Sequence, residues 1–244
     1  MIDSVKRSVA KSFSWRMLGF ILLSLVTYIV TDSLYQMTIV AVFYHLIQLC
    51  LFWFHERAWN SVLWGKTSGI CIQMTGMSGA GKTALAKTTS SVLRKKGYKV
   101  EVIDGDEYRE NLCKDLGFSK EDRNTNIRRL GFVGRVLARN NVICIMSAIN
   151  PYENIRKELK SASDNVKIVY IKCDLDTLIK RDPKGLYKRA LLEDGHKDKI
   201  YNFTGISDPY EEPENPDLVI ETNNEDIDES LNKFIKFILK EIGG

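Results

Sequence analysis

Charge is missing from two stretches near the start of the chain. No Asp, Glu, Lys or Arg occurs from Met17 to Thr31 or from Ser33 to Phe54, where His45 is the only imidazole. Asp32 alone separates the two runs. No proline precedes Pro151, and no tryptophan follows Trp64. The averages therefore hide a division between an uncharged, aromatic, proline-free N-terminal segment and an ordinary globular remainder. Cysteine is scarce, five residues with no Cys-x-x-Cys spacing, which argues against a disulfide framework or a structural zinc site. Neither sign of charge dominates, and a net charge of +4 is too small to imply a nucleic-acid partner. Wholesale disorder is excluded by 44% hydrophobic against 27% charged residues. The length of 244 residues fits one domain with a small appendage.

The second uncharged run reaches the about 20 residues needed to cross a bilayer core. The first is shorter and reaches that length only with Phe13, Trp15 and Arg16 included, Arg16 snorkelling to the interface. Lys6, Arg7, Lys11 and Arg16 precede the first run, Arg57 and Lys66 follow the second, and the Asp32-Ser33 turn carries no positive charge. The positive-inside rule then places both ends in the cytoplasm. The expectation is a transmembrane helical hairpin over 1–66 that holds a cytoplasmic domain, 67–244, at the inner membrane. A cleavable signal peptide fits poorly, because a second run follows at once. A buried helix pair in a soluble domain and a hairpin lying on the membrane surface are the alternatives. His45 and Gln48 are expected to hydrogen-bond to the neighbouring helix or to a second copy. The segment also resembles a family of two-helix membrane domains of unknown function. The resemblance rests on Arg7-Ser8, Lys11, Ser14-Trp15-Arg16 and His55-Glu56-Arg57-Ala58-Trp59-Asn60. It supplies no activity.

After Gly65 strands and helices alternate. Ile70–Thr75 reads as a buried strand. Gly76-Met77-Ser78-Gly79-Ala80-Gly81-Lys82-Thr83 then fits G-x-x-x-x-G-K-[ST], with a helix expected over 84–96. Glycines let backbone N–H groups converge on phosphate oxygens at a helix N-terminus. Lys82 is expected at the β- and γ-phosphates, and the Thr83 hydroxyl at Mg²⁺ with Asp104 as its acidic partner. ATP and Mg²⁺ are the cofactors this implies. Further strands are expected over 100–103, 142–146, 166–172 and 218–220, and helices over 107–116, 122–139, 152–161 and 226–241. The fold class is therefore α/β, a P-loop NTPase-type parallel sheet sandwiched by helices. Ligands of such sheets sit at the carboxyl ends of the strands, where Asp104, Asp106, Ala148 and Asn150 fall. Transfer to a hydroxyl needs a base, which Asp106 is placed to supply. Helix N-capping by Asp104 and Asp106 is the plainer alternative.

These blocks and those that follow resemble the adenylylsulfate kinase family over about residues 68–222. Besides the Gly76–Thr83 loop, they are Asp104-Gly105-Asp106 with Arg109, Leu112 through Lys114–Ser119, Glu121-Asp122-Arg123 and Asn126-Ile127-Arg128-Arg129. They continue with Asn150-Pro151-Tyr152, Arg181–Lys188, Phe203–Ile206, Asp208–Glu211 and Pro213–Pro216. The resemblance implies ATP-dependent phosphorylation of the 3′-hydroxyl of adenosine 5′-phosphosulfate (APS). It implies that Asp106 takes the hydroxyl proton, and that Arg109, Arg123 and Asn126 hold the phosphosulfate and ribose. Phe118 and Phe203 would sandwich the adenine, Asn150 and Pro151 would line the substrate, and Lys184 would belong to a mobile lid.

Three positions depart from the family. Asn150 stands where the family commonly has Ser, so a phosphoserine cannot form there and transfer is expected to be direct. The lid segment Leu191–Lys199 is longer than usual, and Asn202 replaces a Gly. A 3′-kinase for another nucleotide, such as a cytidine diphosphate derivative, and a non-catalytic nucleotide-binding membrane scaffold are the competing readings. The oligomeric state stays open, a homodimer among the options.

Overall fold

A computed structural model describes residues 2–3, 5–29, 34–62 and 66–243 of the chain. The chain divides into two compact units, Ile2–Thr67 and the residues from Ser68 onward.

In the first unit, β1 (Ile2–Asp3) precedes helices α1 (Val5–Ile29) and α2 (Leu34–Ser61), and β2 (Lys66–Thr67) pairs antiparallel with β1. The polar residues flanking the uncharged runs lock the helices together. Arg7 is fully buried, and its guanidinium donates to the carbonyls of Val62 and Trp59, at the C-terminal end of α2. A cation there satisfies orphan carbonyls and offsets the negative end of the helix dipole. Lys11 pairs with Glu56 at 2.9 Å. Ser14 Oγ lies 2.9 Å from His55 Nε2, and the Trp59 indole N–H points at both. Tyr44 reaches the Gly19 carbonyl at 3.4 Å, and Gln48 also lies near Gly19.

Among the described residues no helix is long and apolar enough to cross a membrane, so the transmembrane expectation is not met by them. Lys6, Arg7, Lys11 and Arg16 lie inside α1, which leaves Met17–Ile29 short of the about 20 apolar residues required. Gln36, His45 and Gln48 dilute the uncharged part of α2. The expected Asp32-Ser33 turn, and the His45 side chain, lie outside the described residues.

The second unit runs β3 (Ile70–Thr75), α3 (Lys82–Lys95), β4 (Val100–Asp104), α4 (Gly105–Leu112), α5 (Lys120–Arg139), β5 (Ile143–Ser147), α6 (Glu153–Ser161) and β6 (Val166–Lys172). It closes with α7 (Leu175–Arg181), α8 (Leu186–Ala190), β7 (Leu218–Glu221) and α9 (Ile227–Glu241). The five long strands form one parallel sheet in the order β4-β5-β3-β6-β7. β3, in the centre, is buried along its whole length.

Alternation along β3 divides the core. Ile70, Ile72 and Met74 face Leu85, Ala86 and Leu93 of α3 and Phe234, Ile235 and Ile238 of α9. Cys71 faces the other way, towards Leu130 and Ala138 of α5. Helices on both faces make the sheet strands continuous apolar runs. Each buried Leu, Ile or Phe contributes about 1.5–3 kcal/mol. The expected parallel sheet covered by helices is thus present. The elements α7 and α8 were not anticipated, being short, and α4 starts at Gly105 because Asp104 caps it.

Candidate active site

The loop between β3 and α3 is shaped by its backbone. Gly76 has φ 151°, and a Cβ there would stand 2.4 Å from the Ile171 carbonyl oxygen, so only glycine fits. Its N–H donates to Ile149 O at 3.2 Å. Gly81, at φ 94°, turns the chain into α3. Two residues outside the motif hold the loop from above: Tyr187 donates to Ser78 O at 2.9 Å, and Thr222 to Ala80 O at 3.1 Å. Met77, Ser78, Gly79 and Ala80 thus form a cradle between fixed points. Lys82 is buried, and its ammonium donates to Gly76 O and Met77 O, each at 2.8 Å. Burial lowers its pKa to about 8, against the opposing pull of Asp106 and Asp104.

Three strand ends converge beside it. Asp104 and Ser147 are register partners at the ends of β4 and β5. Thr83 Oγ1 donates to Asp104 Oδ2 at 2.8 Å and lies 3.0 Å from Ser147 Oγ. Asp104 Oδ1 accepts from the backbone N–H groups of Asp106 and Glu107, capping α4. One oxygen of the carboxylate therefore caps α4 while the other accepts from Thr83. Such a set of hard oxygens fits Mg²⁺, which takes few protein ligands and keeps phosphate and water oxygens. Among the described residues no group of three His, Cys, Asp or Glu side chains is placed to hold a metal ion.

Asp106 projects from the first turn of α4, largely exposed, and Lys184 Nζ reaches its Oδ2 at 2.6 Å. This contact raises the Lys184 pKa. Arg109 donates to Gly117 O at 2.7 Å, and its guanidinium lies 4.3 Å above the Phe118 ring. Arg123 packs near the same ring at 5.7 Å and ties two loops together, donating to Phe118 O, to Asn202 O at 2.6 Å and to Thr204 Oγ1 at 3.1 Å. The two aromatic candidates differ. Phe118 is 61% exposed, whereas Phe203 is 8% exposed and meets Tyr187 edge-on at 5.0 Å, inside the main core. Arg123 links the loops that carry them. Arg128 instead forms a surface pair with Glu158 at 2.7 Å.

Asn126 is buried with its Oδ1 unpartnered. Asn150 is buried at φ 47°, both amide atoms unpartnered, with Pro151 buried beside it. One residue missed by sequence reasoning fixes that corner. Arg156, fully buried, donates to Asn150 O at 2.7 Å, Glu211 O at 2.6 Å and Glu153 Oε2 at 2.8 Å. Thr75 donates to the carbonyls of Ile149 or Asn150 at 3.0 Å and meets Tyr210 OH at 2.9 Å. The Glu153–Arg156 spacing of one helical turn was the available signal. Ser147 offered none, because its role depends on strand register.

Both units of the chain are similar to known families. A family described as predicted membrane protein matches residues 9–60. An adenylyl-sulfate kinase of Rippkaea orientalis is 48% identical over 168 residues, covering 69% of this chain and 90% of that protein. A probable adenylyl-sulfate kinase of Synechocystis is 49% identical, covering 68% and 90%. A probable bifunctional SAT/APS kinase of Sorangium cellulosum is 48% identical over 72% of this chain, which spans 29% of that longer protein. Among solved structures, an APS kinase of Mycobacterium tuberculosis in complex with AMPPNP and APS superposes with a TM-score of 0.65. It is 35% identical and covers 70% of this chain and 98% of that one. The family described as adenylylsulphate kinase matches residues 68–221, and the chain belongs to it.

Proposed function

We propose that Lys82, Thr83, Asp104, Asp106 and Lys184 carry the reaction of this family, transfer of the γ-phosphoryl group of ATP to the 3′-hydroxyl of APS. The juxtaposition of Thr83 with Asp104 and of Asp106 with Lys184, at one end of the sheet, carries the reading. The Gly76–Gly81 backbone cradles the phosphates of ATP, and Lys82 turns from its own loop carbonyls to them. Thr83 and Asp104 hold Mg²⁺, which supplies neutralising charge to the phosphates. Asp106 accepts the hydroxyl proton as that oxygen bonds to the γ-phosphorus and the bond to ADP breaks. Asn150 has no hydroxyl to phosphorylate, so the group passes directly to the substrate. Arg109 and Arg123 face the 5′-phosphosulfate with Asn126, Asn150 and Pro151 lining the pocket. Phe118 offers its ring to the adenine, and Phe203 supports the opposite loop. Lys184, in the turn between α7 and α8, closes over the site and excludes water.

The hairpin is the second part of the proposal: it holds the chain at the cytoplasmic face of the inner membrane. Exposed Phe13, Ile21, Phe43, Trp53 and Phe54, the basic residues beside them and the match to a membrane family support this. Two measurements test the reading. The full chain is assayed with ATP–Mg²⁺ and APS, AMP or a CDP derivative, and APS should lead in kcat/KM by about tenfold or more. Faster turnover of the CDP derivative overturns APS as the substrate. Carbonate extraction that releases the full chain from membranes overturns the anchoring.

A further inference from the structure

Tyr187 touches both halves of the site. It lies in α8 with 1% of its surface exposed. Its hydroxyl donates to Ser78 O in the phosphate loop at 2.9 Å. Its ring meets Phe203 edge-on, with 5.0 Å between centroids and 85° between planes. Burial raises its pKa to about 12, so the phenol stays a donor at neutral pH. Asp182 accepts from the N–H groups of Tyr187 and Lys188 at 3.1 and 2.9 Å and so fixes the start of α8.

Both partners of Tyr187 belong to rigid pieces. Ser78 O and the Gly79 N–H lie on opposite edges of one planar trans peptide. A donor fixed on the carbonyl therefore also sets where that N–H points. On the other side, Phe203 O accepts from the N–H groups of Ile206, Ser207 and Asp208, and the Phe203 N–H donates to Ser207 Oγ at 2.9 Å. The ring and the 203–208 turn thus form one tight piece. The two loops touch once more, because a Cβ on Gly205, at φ 90°, would stand 2.7 Å from Met77 Sδ.

We propose that Tyr187 is the positioning residue that couples the two nucleotides: its hydroxyl sets the Ser78–Gly79 peptide toward ATP, its ring sets the Phe203 turn, and each nucleotide binds more tightly when the other is present. This rests on the reading above, in which the loop takes the phosphates of ATP and the Phe203 turn borders APS. Two states of the loop supply the coupling. Without nucleotide, Lys82 holds Gly76 O and Met77 O. With ATP, Lys82 turns to the phosphates and the Gly79 N–H donates to a phosphate oxygen. Hydrogen bonds in a chain polarise one another, so that contact strengthens the Tyr187 bond on the opposite edge of the peptide. Tyr187 then holds the Phe203 turn in place for APS. By linkage, APS tightens ATP by the same factor.

Calorimetry on the full chain reads the coupling as the ratio of APS dissociation constants without and with saturating AMPPNP–Mg²⁺. In the wild type this ratio should be about tenfold or more. Tyr187→Phe keeps the ring and removes the hydroxyl. It should bind APS alone as the wild type does, with the ratio brought close to one. Tyr187→Leu removes the ring as well and should also weaken APS alone, a loss that Tyr187→Phe does not show. A part in packing alone would lower the melting temperature and leave the ratio intact. Wild-type coupling in Tyr187→Phe therefore overturns the proposal, as does a wild-type ratio near one. Phe203→Ala checks the underlying reading. Weaker APS binding by that chain, with coupling intact in Tyr187→Phe, overturns the proposal alone. Unchanged APS binding by Phe203→Ala overturns the reading and the proposal with it. If Tyr187→Phe does not fold by circular dichroism, hydrogen exchange of the wild type decides. AMPPNP–Mg²⁺ alone should slow exchange over residues 203–208, and no slowing there overturns the proposal.

Discussion

The hydroxyl of Thr83 donates to Oδ2 of Asp104 at 2.8 Å, while Oδ1 of the same carboxylate caps the next helix. Asp104→Asn keeps a good cap, since Asn and Asp cap about equally well, but removes the charge. Hydrogen bonds to charged groups contribute about 1.5–3 kcal/mol. The Mg²⁺ concentration for half-maximal activity should therefore rise roughly 10–100-fold with little change in melting temperature. Titrating activity against Mg²⁺ alongside a thermal melt checks both parts.

Asp106→Asn should spare ATP binding and lower kcat by about 10²–10⁴-fold, the range for loss of a general base. Near wild-type turnover with APS would remove Asp106 from that role.

Lys184→Ala tests the lid. Its pair with Asp106 is 61% and 82% exposed, and exposed pairs contribute little to stability. Stability should stay within about 0.5 kcal/mol, while turnover drops and ATP hydrolysis without APS rises. A melt and an ADP-release assay separate the two effects.

Lys82 gives a pH signature. Burial depresses its pKa to about 8, so in the nucleotide-free protein its ammonium loses the proton between about pH 8 and the ordinary 10.5. The unfolded chain binds more protons in that window, so this group makes stability rise with pH there. The polyphosphate of ATP favours the charged form, so binding should take up protons above pH 8. Calorimetry of ATP binding at pH 8.5 in buffers of different ionisation enthalpy reads this directly. The uptake should vanish in Lys82→Met.

Arg156→Leu should be among the most destabilising single changes. It strands the Glu153 carboxylate and two carbonyls in a buried corner. Removing one partner of a buried pair costs about 3–5 kcal/mol. Denaturant unfolding measures it, and a loss below about 1 kcal/mol would show that the clamp on Asn150 is dispensable.

What the sequence disclosed was mostly local. Gly76, Gly81, Lys82 and Thr83 are legible because one loop and one helical turn bring them together. The strand before them is legible because both its faces are buried. Ser147 was not, because it matters only through the register of β4 with β5, and Arg156 showed only its one-turn spacing from Glu153, since its clamp depends on the packing of α6 on the 208–211 segment. Phe203 was visible as an aromatic, but its seat against Tyr187 depends on α8, a helix too short to leave a periodic signal. Charge-free length suggested spanning helices, yet Arg7, Lys11 and Glu56 sit within the helices and tie them to each other.

The order of strands also sets when the molecule becomes competent during synthesis. β3 pairs on one side with residues 143–147 and on the other with residues 166–170, so the phosphate loop it feeds has no scaffold until those segments have left the ribosome. The contacts of the first unit, Arg7 with Trp59 and Val62, are complete within the opening 67 residues. A nascent chain stalled near residue 140 therefore carries a finished hairpin and a kinase that cannot yet hold a nucleotide.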